Sequence, residues 1–340
     1  VLDALDYGDG VSNDVINMFF LIKELGYNTQ IYSKYVDERV AILRKDISKL
    51  KTNNDDIIIH HYSGFSNIIK EIEKCNCKKV MIYHNITPPQ FLEGKAKQEC
   101  KKGITQLNKI KDLYNYFVGD SDYNIKCLIN LGICNQGDIL PIILDFDKID
   151  IHKTRESKTT NFLFVGRVAQ NKKIEDIIKL FDCYYCNIDC KCKLFLVGNN
   201  TFSEVYTNYL LKYIEQLKSK KSIFFTGKVS NEDLKNYYLN ADIFICMSEH
   251  EGFCIPLIES MYYQIPVLAY NAGAISYTMG NSGIILNNKN YDVASKLIYL
   301  ILTNNAIKEK IIADQNNNLK RFYKDNVKEI LYNLILKWSN

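Results

Sequence analysis

The sequence predicts an α/β protein of two doubly wound, parallel-sheet domains facing a central cleft. Three observations carry this expectation. Short apolar runs rich in β-branched residues alternate with helical patterns from end to end. Continuous apolar strands between helices belong to parallel sheets covered on both faces. The pattern runs twice, interrupted by the irregular stretch "PIILDFDKIDIHKTRESKTT". Glycines collect where the strand runs end, at Gly8, Gly10, Gly119, Gly166, Gly198, Gly227 and Gly252. Ligands gather at those carboxyl ends in such sheets.

The elements follow in order. "VLDALDYGDG" reads as the second half of a strand entering a glycine loop. "SNDVINMFFLIKEL" is amphipathic, with apolar positions 15, 16, 18, 19, 20, 21 and 22 expected on one broad face. Strands are expected at "YNTQIYS", "DIIIHH", "KVMIYHN" and "YFVGDS", then at "NFLFVG", "KLFLVG", "SIFFTG", "DIFICM" and "PVLAYN". Helices are expected near 173–188, 204–219, 231–239 and 256–263, and over the last 35 residues. The charged, apolar-poor part at about 147–160 is the expected linker. The expected organisation is 1–147, 148–322, and a C-terminal helix at 323–340 that packs back on the first domain.

Composition narrows the function. Of 340 residues 47% are apolar and 24% charged, as in a globular chain of two domains. No apolar run approaches the ~20 residues that span a bilayer, and no basic-then-apolar leader opens the sequence. A net charge of +4 is too mild to argue for nucleic acid. Eleven cysteines, an odd number, suit reduced thiols and a cytoplasmic location. Cys183, Cys186, Cys190 and Cys192 crowd together, but zinc ribbons need two pairs separated by a long spacer. They are expected to be metal-free, buried thiols acting as small apolar residues. Residues 70–111 hold ten lysines against four glutamates, a net +6. That is either a solvated surface or a patch for anionic lipid or a phosphorylated acceptor.

Two constellations carry chemistry. In "NFLFVGRVAQNKKIEDIIKLF", Gly166 turns the chain after a strand and Arg167 and Lys172 lie five apart near a helix N-terminus. Two cations and a helix terminus suit a diphosphate, although both serve equally as surface charges. The stretch is neither a P-loop nor G-x-G-x-x-G. In "SEHEGFCIPLIESM", Pro256 fits the first helical position, and 251–255 form the loop feeding the helix, with amides pointing out of its N-terminus toward an anion or an oxygen-rich ligand. Glu251 and Glu259 flank that turn. A carboxylate accepts two hydroxyls, so the pair suits two polyol units flanking a diphosphate, the form of a nucleotide sugar. The plainer alternatives are an exposed Glu251 and a Glu259 serving helix N-terminal electrostatics.

"FVGRVAQNKK" followed by "SEHEGFCIPLIESMYYQIPVLAYNAGAI" resembles the retaining glycosyltransferases of family 4, which have the GT-B fold of two Rossmann-like domains. "YGDGVSND", "YHNITPPQF", "FVGDSDYN" and "LPIILDF" extend the resemblance over nearly the whole chain, toward a bacterial subgroup. It implies that Glu251 holds the transferred sugar and Glu259 the ribose, while Arg167 and Lys172 bind the diphosphate and stabilise it as leaving group. It implies backbone amides from Gly252, Phe253 and Cys254, a close approach of the donor phosphates to Gly8 and Gly10, and His84 in the acceptor-side wall. On the residues alone, His84 is a satisfied strand-end histidine. Many members carry Pro-Glu after "AGA", where this chain has Ser276 and Tyr277.

The expected activity is hexosyl transfer, with retention, from a nucleotide diphosphate sugar to a saccharide or lipid-linked saccharide hydroxyl. It serves cell-surface polysaccharide or glycolipid synthesis and needs no metal, since "DFD" at 145–147 lies at the interdomain connection. Donor groups are expected mainly from the second domain and acceptor groups from the first. Alternatives are a nucleotide-sugar epimerase or phosphorylase on the same fold, or a non-catalytic sugar-nucleotide-binding subunit. Peripheral contact with anionic membrane is part of the expectation.

Overall fold

The computed structural model describes residues 1–144, 146 and 159–340. The expected linker lies outside the described residues as far as residue 158, as do both aspartates of the 145–147 triplet. The chain divides into two compact units, Val1–Asp147 with Arg321–Asn340, and Lys148–Lys320.

The first unit runs β1 (Leu2–Leu5), α1 (Gly10–Glu24), β2 (Ile31–Val36), β3 (Arg44–Asp46), β4 (Ile57–Tyr62), α2 (Ile69–Glu73), β5 (Lys78–Tyr83), α3 (Gly94–Ile110), β6 (Tyr116–Gly119), α4 (Asp122–Asn130) and β7 (Asp138–Ile139). Its strands form parallel ladders in the orders β1-β2-β3 and β4-β5-β6-β7. Val1 joins the two: its N donates to Ile59 O (2.5 Å), and His61 N donates to its carbonyl (3.0 Å). The two-residue period of β5 divides the core. Val80 and Ile82 meet α1, while Met81 and Tyr83 meet α3 and α4. In α1, capped by Asp9, Val15, Met18, Phe19, Leu21 and Ile22 are buried, but Phe20 is 46% exposed. A 3.6-residue period cannot turn seven nearly consecutive positions to one side.

The second unit runs β8 (Thr160–Val165), α5 (Ile174–Asn187), β9 (Cys192–Val197), α6 (Glu204–Ile214), β10 (Ile223–Gly227), α7 (Asn231–Leu239), β11 (Ile243–Cys246), α8 (Ile255–Tyr262), β12 (Val267–Tyr270), α9 (Ile275–Met279), β13 (Ile284–Leu286), α10 (Tyr291–Thr303) and α11 (Asn305–Leu319). All six strands are parallel, in the order β10-β9-β8-β11-β12-β13. The order reverses between β8 and β11, so the crevice at this topological switch point lies between the loops that follow those two strands.

The last helix, α12 (Lys324–Ser339), belongs to the first unit. Val327, Leu331 and Trp338 are fully buried against the α1 face of the sheet. Ion pairs of Lys324 and Lys328 with Glu24 (2.8 and 3.1 Å), and of Lys337 with Asp138 (2.7 Å), rim that contact. No helix among the described residues is long and apolar enough to cross a membrane.

Two surface expectations need correction. Of the four clustered cysteines only Cys192 is buried; Cys183 is half-buried, and Cys186 and Cys190 are exposed. The apolar stripe of α5 is made by Ile174, Ile177, Ile178, Phe181 and Tyr184, which leaves Cys186 outside it and Cys190 on the following loop. Lys79 does not join the basic surface of 70–111. It is buried, with its ammonium donating to the carbonyls of Cys75 (2.6 Å) and Cys77 (3.0 Å).

Candidate active site

In the second unit, backbone geometry sets the site before any side chain does. A Cβ at Gly198 would lie 2.1 Å from Gly166 O, so only glycine lets the turns after β8 and β9 touch. Beyond Gly166 the chain meets the loop after β11: Glu249 N donates to Asn171 O (2.8 Å), and the Asn171 amide donates to His250 O (3.0 Å). That clamp brings Lys172 onto Glu251, with its Nζ 2.7 and 2.8 Å from the two carboxylate oxygens. Glu251 is buried, which overturns the exposed-acid alternative. Burial pulls the Lys172 ammonium toward deprotonation. The charge and hydrogen bonds of Glu251 outweigh it and hold the pKa above its ordinary value.

The rest of the loop is similarly constrained. Cys254 caps α8 in the left-handed region (φ 72°), and Pro256 is the second residue of the helix rather than the first. Phe253 is buried. Gly273, in the "AGA" segment, lies against the Glu251 backbone: a Cβ there would stand 2.4 Å from Glu251 O, and Ala274 N donates to that oxygen (2.9 Å). Ser276 is exposed, and the Tyr277 ring lies 6.5 Å from Phe253. Lys289 donates to Asp176 (2.6 Å) and Glu249 (2.8 Å), tying the loop after β13 to the same cluster.

Glu259 sits one turn into α8 and accepts a hydrogen bond from the Tyr238 hydroxyl (2.6 Å). Burial pushes its pKa up, and the Tyr238 bond only partly offsets this. As the fifth residue of α8, Glu259 lies past the first turn, beyond which helix N-terminal electrostatics fall off, so that reading accounts poorly for it. Arg167 is exposed, with its guanidinium 4.7 Å from the Phe202 ring centroid.

Gly8, Gly10 and His84 lie in the first unit. Gly8 has φ +78° with open space about its Cβ direction, and Gly10 begins α1. His84, just past β5, has a buried side chain with both ring nitrogens engaged: Nδ1 with Asp120 Oδ2 (3.1 Å) and Nε2 with His61 Nδ1 (2.8 Å). Its N–H donates to Tyr62 O (2.9 Å), and Asn85 beyond it turns at φ 72°. The ring has no nitrogen left for a reacting sugar.

Two clusters carry metal-ligand chemistry among the described residues, Asp14–His61–His84 and Cys246–Glu251–Cys254. Neither donor set fits an ion well. The two histidine nitrogens of the first are hydrogen-bonded to each other, and the Glu251 of the second already holds the Lys172 ammonium where a cation would sit.

Sequence reading missed Asn171, Tyr238, Lys289, Asp14, His61 and Asp120. Asn171 lies inside the R-x4-K stretch, so the motif did point at its neighbourhood. Asp14 and Asp120 likewise lie inside "YGDGVSND" and "FVGDSDYN", whereas Tyr238, Lys289 and His61 act through partners far away in sequence.

Comparison with known proteins bears on the fold and the family. The chain is 24% identical over 164 residues to O-antigen chain mannosyltransferase B of Escherichia coli, covering 48% of this chain and 42% of that one. It is 23% identical over 273 residues to an uncharacterized 41.2 kDa protein in the cps region of Klebsiella pneumoniae, covering 75% and 71%. The solved structure of Anabaena Alr3699/HepE in complex with UDP-glucose shares the fold, with a TM-score of 0.73 at 15% identity over 99% of each chain. The two parallel-sheet units thus have the architecture of GT-B glycosyltransferases. The profile described as Glycosyl transferases group 1 matches residues 145–318, more than half of the sequence and nearly all of the second unit, and the chain therefore belongs to that family.

Proposed function

We propose that the chain is a retaining, metal-independent glycosyltransferase of the family 4 type, moving a hexose from a nucleotide diphosphate sugar to a saccharide or lipid-linked saccharide hydroxyl. The observation that carries this reading is the buried Lys172–Glu251 pair beside the start of α8. A carboxylate paired with an ammonium accepts hydroxyl hydrogen bonds of the charge-assisted, stronger kind. The ammonium, Arg167 and the amides of Gly252, Phe253 and Cys254 suit the diphosphate, and Glu259 the ribose. Names of relatives support the setting: one acts on an O-antigen chain, and another is encoded in a cps region.

In the reaction, the bond from the anomeric carbon to the diphosphate oxygen breaks while the acceptor oxygen bonds to the same face of that carbon. The hydroxyl proton passes to the departing phosphate oxygen. Charge grows on the leaving diphosphate, so Lys172 and Arg167 contribute more in the transition state than in the ground state. The reaction takes place in the cytoplasm in this reading, with the exposed lysines of α3 facing anionic membrane.

A thermal-shift panel of nucleotide sugars tests it. A donor at a hundred times its Kd stabilises by about 2.7 kcal/mol. The shifting donor is then assayed for hydrolysis and for transfer, with the anomeric configuration of the product read by NMR. A donor that shifts the melt but never turns over indicates a non-catalytic binding subunit. Inversion at the anomeric carbon, or loss of turnover on metal removal, would sink the corresponding part of the proposal.

A further inference from the structure

A buried chain of ring nitrogens runs through the first unit. Asp120, just past β6, accepts from His84, and His84 in turn meets His61 on β4. All three are almost fully buried, and the two imidazoles lie nearly parallel at 13° with centroids 5.1 Å apart. Asp14 of α1 flanks the chain, its Oδ2 3.7 Å from His61 Nδ1 and its Oδ1 taking the Ile143 N–H (2.8 Å).

The carboxylate dictates where the hydrogens sit. A carboxylate only accepts, so facing Asp120 Oδ2 the hydrogen of His84 lies on Nδ1. In neutral His84 the Nε2 is then bare and must receive the hydrogen of His61 Nδ1. The Nε2 of His61 is left as a lone pair, without a partner among the described residues. His61 lines a cavity of about 200 Å³ together with Asp6, Asp9, Val11, Ser63 and Gly64, and it also borders a second of about 370 Å³ that Val1, Val15 and Ile59 help to line. Carboxylates, a hydroxyl and a bare imidazole nitrogen are hydrogen-bond partners for hydroxyls, and the volume suits a single sugar ring.

We propose that this cavity is a saccharide subsite of the first unit, that His61 Nε2 accepts a hydrogen bond from an acceptor hydroxyl there, and that Asp120 is a positioning residue acting through His84. The proposal rests on the glycosyltransferase reading for the identity of the ligand, but the hydrogen placement does not. Several groups bear on the relay: Asp14 and Asp9 from the α1 side, Asp120 from beyond β6, and His60 on β4. Protonation of His84 would put hydrogens on both of its nitrogens, reverse the His84–His61 bond, and turn the His61 lone pair into a donor.

Nitrogen-15 NMR of the histidines gives the decisive measurement, since the sequence has only five. Above the raised pKa of His84 the wild-type protein is expected to show His61 with a bare Nε2. Asp120→Asn turns the acceptor into a donor toward His84 Nδ1, so both tautomers invert and His61 Nε2 becomes protonated. His61→Asn keeps a donor near His84 but removes Nε2. Both variants are expected to raise the KM for the saccharide acceptor about tenfold. Hydrolysis of the donor by water, which needs no saccharide, stays within about twofold.

A protonated His61 Nε2 in the wild-type spectrum overturns the relay, even if neither variant folds. An unchanged acceptor KM in folded His61→Asn overturns the subsite, and so does a parallel fall in hydrolysis. If the wild-type protein turns over no donor at all, the glycosyltransferase reading fails instead. The subsite is then judged by titrating the free monosaccharide: unmoved His61 signals count against it, and saturable shifts support it.

Discussion

Replacing Glu251 by Gln tests the centre of the proposed site. The Glu251 side chain is 8% exposed and meets the Lys172 ammonium with both oxygens, at 2.7 and 2.8 Å. Gln keeps the volume but puts an amide NH₂ in place of one oxygen, so the ammonium faces a neutral acceptor and a donor. Removing one member of a buried pair costs about 3–5 kcal/mol. The Lys172 side chain keeps 17% of its exposure and can turn toward water, so the lower end of that range is expected. At about 2–4 °C per kcal/mol for a unit of this size, the melt should fall by roughly 6–12 °C. Transfer should fall about 10- to 150-fold, because hydrogen bonds from the sugar to a charged acceptor, worth about 1.5–3 kcal/mol, are weakened. Binding of free nucleoside diphosphate should behave differently. Its phosphates lack the sugar, and the ammonium released from Glu251 becomes more available, so affinity should hold or improve. Glu259→Gln, by contrast, should weaken intact donor and free diphosphate alike. Calorimetry with both ligands, beside initial rates, gives the comparison. If Glu251→Gln weakens both ligands equally while Glu259→Gln weakens neither, the assignment of the two acids to sugar and ribose is refuted.

Gly273→Ala should lower stability by about 1–3 kcal/mol, seen as a lower Tm, because its Cβ would stand 2.4 Å from Glu251 O at φ +59°; Gly64→Ala, with nothing within 4 Å, serves as the unaffected control. Tyr238→Phe removes the bond that restrains the raised pKa of Glu259, so the acid limb of donor binding should move to higher pH; a limb that stays in place in a pH series of Kd would argue against a ribose role for Glu259. Burial raises Asp14 to about 7, so its contribution to stability is present below its unfolded value and is lost as pH rises through about 7. Asp14→Asn should therefore flatten stability between about pH 4 and 7, where the wild-type slope from this group reaches at most about 1.4 kcal/mol per pH unit; parallel denaturation curves for the two proteins would refute that. The exposed lysines of α3 should give more pelleting with anionic than neutral vesicles at low salt, and equal pelleting would remove the idea of membrane attachment.

The sequence by itself determined the class of fold and the stretches that carry chemistry. Apolar strands such as "NFLFVG" and "DIFICM" announce parallel sheets because burial on both faces leaves no room for polar alternation. The spacing of Arg167 from Lys172, and of Glu251 from Glu259, marks strand-to-helix turns because loops and helix starts are local in the chain. Three short strands, β3, β7 and β13, escaped notice, since two or three residues carry too little pattern. What only the tertiary structure decided is which of these parts meet. Strand order sets β8 beside β11, and this puts Lys172 on a carboxylate 79 residues away. Tyr238 reaches Glu259 across 21 residues, and Asp120 reaches His84 across 36. The "YHN" stretch led to His84, but the structure engages both of its ring nitrogens, one with Asp120 and one with His61. Periodicity reports which side of an element is buried. The partner across a sheet depends on strand order and register, which are settled by packing among segments distant in the chain.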